Sequence, residues 1–126
     1  TTFDVVDHDG AYVGGVIAPG VNLSLQALHQ MAAALPHVDI AKPKQVIGKN
    51  TVSCMQSGVF WGYIGLVKEI CRKIKEEKKE TMKVVATGGL APLLQSTEAL
   101  FENVDENLTM HGLRLIFDYN KSIESL

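Results

Sequence analysis

The chain has 126 residues, 46% of them hydrophobic and 21% charged, which excludes a disordered segment and provides for one core rather than two separate ones. Twelve Lys and Arg against fourteen Asp and Glu leave a formal charge of -2, so neither nucleic acid nor an anionic membrane is expected as a partner. The two cysteines, Cys54 and Cys71, form no disulfide framework and no Cys/His cluster with zinc spacing, which fits the reducing cytoplasm.

Phe3 to Asp7 and Ala11 to Ala18 are predicted strands, joined by the tight turn His8-Asp9-Gly10. Gly14-Gly15 interrupts the second strand, which marks a bulge or the close approach of another backbone or a ligand. After Pro19-Gly20, Asn22 or Ser24 is expected to cap a helix whose apolar residues Leu25, Leu28, Met31, Ala32 and Leu35 recur at helical spacing up to Pro36. Pro36 to Asn50 changes to Pro, Lys, His and Asp and is expected to be an ordered loop.

Thr51 to about Lys79 is the longest helical pattern, roughly 40 Å if continuous. Its first half carries Val52, Met55, Val59, Phe60, Trp61, Tyr63, Ile64, Leu66 and Val67 on several faces, so burial on more than one side is expected, one of them against a second subunit or domain. Gly58, Gly62 and Gly65 share a face; each costs about 1 kcal/mol relative to Ala, and close packing against that face would explain them. Cys54 in this apolar stretch is expected to be buried and inert. The uncharged run from Asn50 to Val67 contains too many glycines and polar residues for a membrane span. Further on, Glu69 with Lys73 and Arg72 with Glu76 are favourable i,i+4 pairs on a solvated helix end.

Lys83 to Ala86 is predicted as a short buried strand, Thr87-Gly88-Gly89 as a turn, Leu90 to Leu100 as a helix, Phe101 to Val104 as a strand and Leu108 to about Lys121 as the last helix. Strands mixed with helices indicate an α/β layered domain spanning residues 1–126.

Chemistry is sparse. Thr87-Gly88-Gly89 between strand and helix is a place where a ligand can approach bare backbone, or merely a turn that needs positive φ. Gly48-Lys49-Asn50-Thr51 superficially resembles the end of a phosphate-binding P-loop, but Pro43 stands where that motif requires its first glycine and no strand leads into it. Asn50 and Thr51 at a helix start are caps or ligand contacts. His29 is expected mid-helix, exposed or hydrogen-bonded, while His8, His37 and His111 are expected in turns or loops without metal-ligand spacing. No catalytic Ser/His/Asp or Cys/His set can be assembled.

Read together, Thr1-Thr2-Phe3-Asp4-Val5-Val6, Gly14-Gly15-Val16-Ile17-Ala18-Pro19-Gly20, Ile47-Gly48-Lys49-Asn50-Thr51, Met55-Gln56-Ser57-Gly58, Thr87-Gly88-Gly89-Leu90, and Leu108-Thr109 with Gly112-Leu113 follow one family's order across almost the whole chain. The chain resembles the C-terminal half of the type III pantothenate kinases. That resemblance implies an actin-like (ribonuclease H-like) kinase fold, a mixed sheet with helices packed on it, whose N-terminal half is not in this chain. It also implies transfer of the ATP γ-phosphate to pantothenate, the first step of coenzyme A biosynthesis, by a cytoplasmic homodimer using a divalent metal (Mg) and a monovalent cation (K or NH4). By motif, Thr87, Gly88 and Gly89 resemble the adenosine-binding turn, Thr1 and Thr2 continue a phosphate-binding hairpin, and Thr51 matches a pantothenate-contacting threonine. The family's first phosphate loop, its catalytic aspartate in a Gly-x-Asp-Arg motif and its cation-binding Asp are expected upstream of Thr1, so no catalytic residue is assigned here and the chain alone is expected to be inactive. A non-catalytic dimerisation or regulatory module with the same half-fold is the competing expectation.

Overall fold

A computed structural model describes residues 1–31 and 35–124. The described chain forms two compact units, residues 1–78 and 79–126. Each contains helices and its own two-stranded sheet, one antiparallel and one parallel, rather than one continuous mixed sheet.

The first unit opens with a hairpin of β1 (Thr2–Val6) and β2 (Tyr12–Ile17). Its turn is built by Asp7: the backbone bonds with Ala11 (3.0 Å) and Gly10 (3.1 Å), and the carboxylate accepts from the N–H groups of Asp9 and Ala11. Gly10 sits at φ 83°, which a side chain would strain. Both readings of Gly14-Gly15 hold. The register slips between Val5, paired with Gly14, and Val6, paired with Tyr12, so Val13 is the bulged residue. A Cβ on Gly15 would lie 2.2 Å from the Phe3 carbonyl oxygen, so the strands approach too closely for any other residue.

Helix α1 (Val21–Met31) follows, and its cap differs from expectation. Neither Asn22 nor Ser24 stands before the first turn; the Gly20 carbonyl accepts from both the N–H (3.0 Å) and the hydroxyl (3.1 Å) of Ser24. Ala32 lies outside the described residues, and Leu35 is beyond the helix. The loop to Asn50 is pinned to helix α2 (Thr51–Lys78), because Gln56 donates to the Asp39 carbonyl (3.2 Å) and buried Ser57 donates to that of Val46. Val21, Leu25, Val38, Met55, Phe60, Tyr63, Ile64 and Val67 form the core, with Phe60 fully buried and edge-on to Trp61. One side of α2 is therefore covered, while Thr51, Cys54, Gly58, Gly62 and Gly65 lie exposed along another. Cys54 is thus exposed, not buried, because it lies on the glycine side of the helix.

In the second unit, the Lys79 backbone at φ 56° takes the left-handed conformation that ends a helix. Strand β3 (Val85–Ala86) pairs in parallel with β4 (Asn103–Val104), both shorter than expected, and Val85 is half exposed rather than buried. Between them α3 (Ala91–Gln95) stops five residues before Leu100. Ser96 and Thr97 turn their hydroxyls back to the Leu93 carbonyl, and Gln95 exchanges two hydrogen bonds with the Phe101 backbone, closing the loop in place of another helical turn. Helix α4 (Leu108–Glu124) completes the unit.

Candidate functional site

The start of α2 is the most elaborately bonded turn of the first unit. Asn50 Oδ1 accepts from the Ser53 N–H (2.9 Å), and Ser53 Oγ accepts in return from the N–H groups of Asn50 (3.1 Å) and Lys49 (3.0 Å). This reciprocal arrangement satisfies helical donors at both ends of the first turn, so Asn50 is the cap. A Cβ on Gly48 would fall 2.4 Å from the Cys54 nitrogen, so glycine is required for the loop to lie against that turn. Thr51 is left exposed at the first helical position, with its hydroxyl unused by the cap. Sequence reasoning weighed Asn50 and Thr51 as caps but missed Ser53, although the spacing Asn-x-x-Ser is that of a capping box.

Thr1 and Thr2 begin the hairpin and are both exposed. The Thr1 backbone exchanges two bonds of 2.9 Å with Ala18. Its Oγ1 hydrogen-bonds the hydroxyl of Tyr63, a core residue of α2 that sequence reasoning counted only among the apolar positions. Burial raises the Tyr63 pKa above its ordinary value of 10. Thr2 Oγ1 donates to Asp4 Oδ2 at 3.4 Å. Thr1, Thr2 and Thr51 thus belong to one unit, with Tyr63 and Thr51 separated by about 18 Å along the α2 axis.

Thr87, Gly88 and Gly89 form the turn after β3 in the second unit. The strand is held in place by Glu102, which bonds the Val84 N–H through its carboxylate (2.6 Å) and the Val84 carbonyl through its own N–H (2.9 Å). Gly88 stands at φ 96° and its carbonyl accepts from Ala91 (3.1 Å), so the positive-φ reading of this turn is correct. Gly89 needs no such conformation, and a Cβ there would meet open space. Its bare backbone is open to a ligand.

The other singled-out residues fall elsewhere. His29 lies on α1 and bonds the Leu35 carbonyl through Nδ1 (2.7 Å), as expected of a hydrogen-bonded helix residue. It stands edge-on to His37 over an open cleft of about 380 Å³, whose lining contains none of the threonines or glycines above. His111 is on α4, not in a loop, and faces Asp105 at 3.2 Å, whose other oxygen accepts from Asn107 at the helix start. Among the described residues no group of three or more His, Cys, Asp or Glu side chains is arranged to hold a metal. The donor set of the described residues does not by itself fit the divalent cation the family resemblance implies. Beyond the site, Glu69 pairs with Arg72, which lowers its pKa, and Lys73 lies 3.6 Å from Glu76.

The fold defines an α/β protein with two small sheets, a threonine-led hairpin and a glycine turn left open on its solvent side. A solved structure described as a conserved Baf family transcriptional activator from Campylobacter jejuni matches 96% of this chain and 54% of its own at a TM-score of 0.63. Their identity is 21%, so the likeness speaks for the fold alone. The sequence profile of the type III pantothenate kinases matches residues 1–73. Proteins named type III pantothenate kinase from Roseobacter denitrificans and Ruegeria pomeroyi are 73% and 72% identical to it over 98% and 96% of the chain. This chain belongs to the type III pantothenate kinase family. It spans about half the length of these relatives, 48% and 47%.

Proposed function

We propose that the chain is the C-terminal domain of a two-domain, actin-like kinase that transfers the ATP γ-phosphate to pantothenate, giving 4'-phosphopantothenate for coenzyme A biosynthesis. The carrying observation is 73% identity over nearly the whole chain to a relative bearing that enzyme's name. In this reading the Thr51 hydroxyl contacts pantothenate, and its place beside a cap completed by Asn50 and Ser53 supports that role by leaving it free. Thr1 and Thr2 face the ATP phosphates. Thr87, Gly88 and Gly89 receive the adenosine, which the open space at Gly89 supports.

Phosphoryl transfer of this kind depends on positioning and on charge stabilisation. The bond from the pantothenate hydroxyl oxygen to phosphorus forms as the bond to the ADP oxygen breaks. The proton leaves to a base that we assign to the other half of the protein, because the Gly-x-Asp-Arg motif of the family resemblance is not found in this sequence. The same half is the place for the metal and the monovalent cation. In this reading the enzyme acts as a cytoplasmic homodimer, as the family resemblance implies. Among the described residues no helix is long and apolar enough to cross a membrane. A regulatory module without catalysis has no supporting feature here, because the 21% likeness carries no role.

The test is the full-length chain, assayed for ADP release with and without pantothenate. Pantothenate-dependent release with formation of 4'-phosphopantothenate is expected; an ADP signal indifferent to pantothenate would overturn the reading.

A further inference from the structure

Tyr63 is 6% exposed, its ring in the core of the first unit, and its hydroxyl ends at Thr1 Oγ1 on the surface. A threonine hydroxyl has one proton and two lone pairs, so the direction of this bond decides what Thr1 offers to solvent. If Thr1 donated inward, only lone pairs would face outward, and a phosphate oxygen, itself an acceptor, would be repelled. If Tyr63 donates, the Thr1 proton is free to point outward. We propose that Tyr63 is a positioning residue for the nucleotide: by donating to Thr1 Oγ1 it turns the Thr1 proton toward an anionic acceptor, the ATP phosphates.

The identity of that acceptor rests on the kinase reading above; the orientation of Thr1 does not. Burial keeps the Tyr63 proton in place at and above neutral pH, so the donor persists through the working range. The Thr1 backbone, fixed by its paired bonds to Ala18, leaves the side-chain rotamer as the free variable, and the Tyr63 hydroxyl fixes it. Because Tyr63 and Thr51 stand on one helix, the nucleotide contact and the proposed pantothenate contact share a rigid support.

Tyr63→Phe in the full-length chain keeps the ring and removes only the donor. The expected result is an ATP KM raised about five- to tenfold with a pantothenate KM changed less than twofold. Thr1→Val at the exposed end should raise the ATP KM similarly, and the double variant should be no worse than the poorer single one. A wild-type ATP KM in Tyr63→Phe, or losses that multiply in the double variant, would overturn the proposal, since a residue that only packs moves the melting temperature and leaves the KM alone. Should Tyr63→Phe fail to fold, Thr1→Val decides: an unchanged ATP KM there is equally fatal. If the wild-type chain does not phosphorylate pantothenate, the kinase reading fails by itself, and ATP binding by calorimetry reads the orientation instead, with weaker binding expected in both variants and unchanged binding overturning it.

Discussion

At Thr51, two roles that the sequence left open now give different outcomes. The cap is made by Asn50 with Ser53, so Thr51→Ala removes no capping bond, and alanine is the better helix former. Stability should be unchanged or raised by a few tenths of a kcal/mol, whereas Asn50→Ala should cost about 0.5–2 kcal/mol. In the full-length enzyme the pantothenate KM should rise about tenfold or more, because a hydrogen bond lost in a dry site is worth roughly 1–3 kcal/mol, and the ATP KM should stay put. Both Michaelis constants and the thermal midpoint, measured together, check this; an unchanged pantothenate KM removes Thr51 from the site. Single residues were legible where backbone geometry dictated them. Gly10, at positive φ, and Gly15, pressed on the Phe3 carbonyl, are forced, and the sequence marked both segments as special. Cys54 was misread because apolar neighbours say that a helix is buried without saying which side.

Helix α2 shows the same limit at the scale of an element. Its ends were readable, from the Asn50-Thr51 start to the charged run that closes at Lys79. Its all-round apolar character was resolved only by the fold, which covers the side of Phe60, Ile64 and Val67 and leaves Gly58, Gly62 and Gly65 with nothing within 4 Å of a Cβ. Open space gives Gly62→Leu a diagnostic sign. Without a partner, leucine would enter solvent and, as a better helix former, stabilise α2 by roughly 1 kcal/mol. If the full-length chain dimerises through this side, as we propose, the same change overpacks a close contact at about 1–3 kcal/mol. Sedimentation should then show a dimer dissociating at concentrations about five- to a hundredfold higher; a raised melting temperature with unchanged association would place the interface elsewhere. Helix α3 was overextended for a reason periodicity does not contain: the Ser96 and Thr97 hydroxyls and the Gln95 amide compete for the backbone that a longer helix would have used.

For the whole molecule, periodicity yielded strands and helices but not a purpose; the motif blocks in their order carried the family, as the 73% identity bears out. Part of the architecture was not legible because large apolar residues that a pattern reads as core stay exposed in the described structure. Leu113, Leu115, Ile116, Phe117 and Tyr119 of α4 and Tyr12 and Ile17 of β2 are each more than half exposed, although their exposure costs roughly 25 cal/mol per Å² of apolar surface. Relatives about twice as long supply a second half that such surfaces can meet. The expected consequence is that a polypeptide of these residues alone does not phosphorylate pantothenate, since the base, the first phosphate loop and the cation ligands are assigned to that other half. Mixed with a separate polypeptide carrying the upstream half, it should recover turnover that saturates with the concentration of the added half and is lowered about tenfold or more by Thr51→Ala at low pantothenate. Each half alone should be silent in the same assay. Pantothenate-dependent ADP release by the present chain alone, purified free of contaminating kinase, would return the catalytic base to these residues and overturn its assignment to the other half.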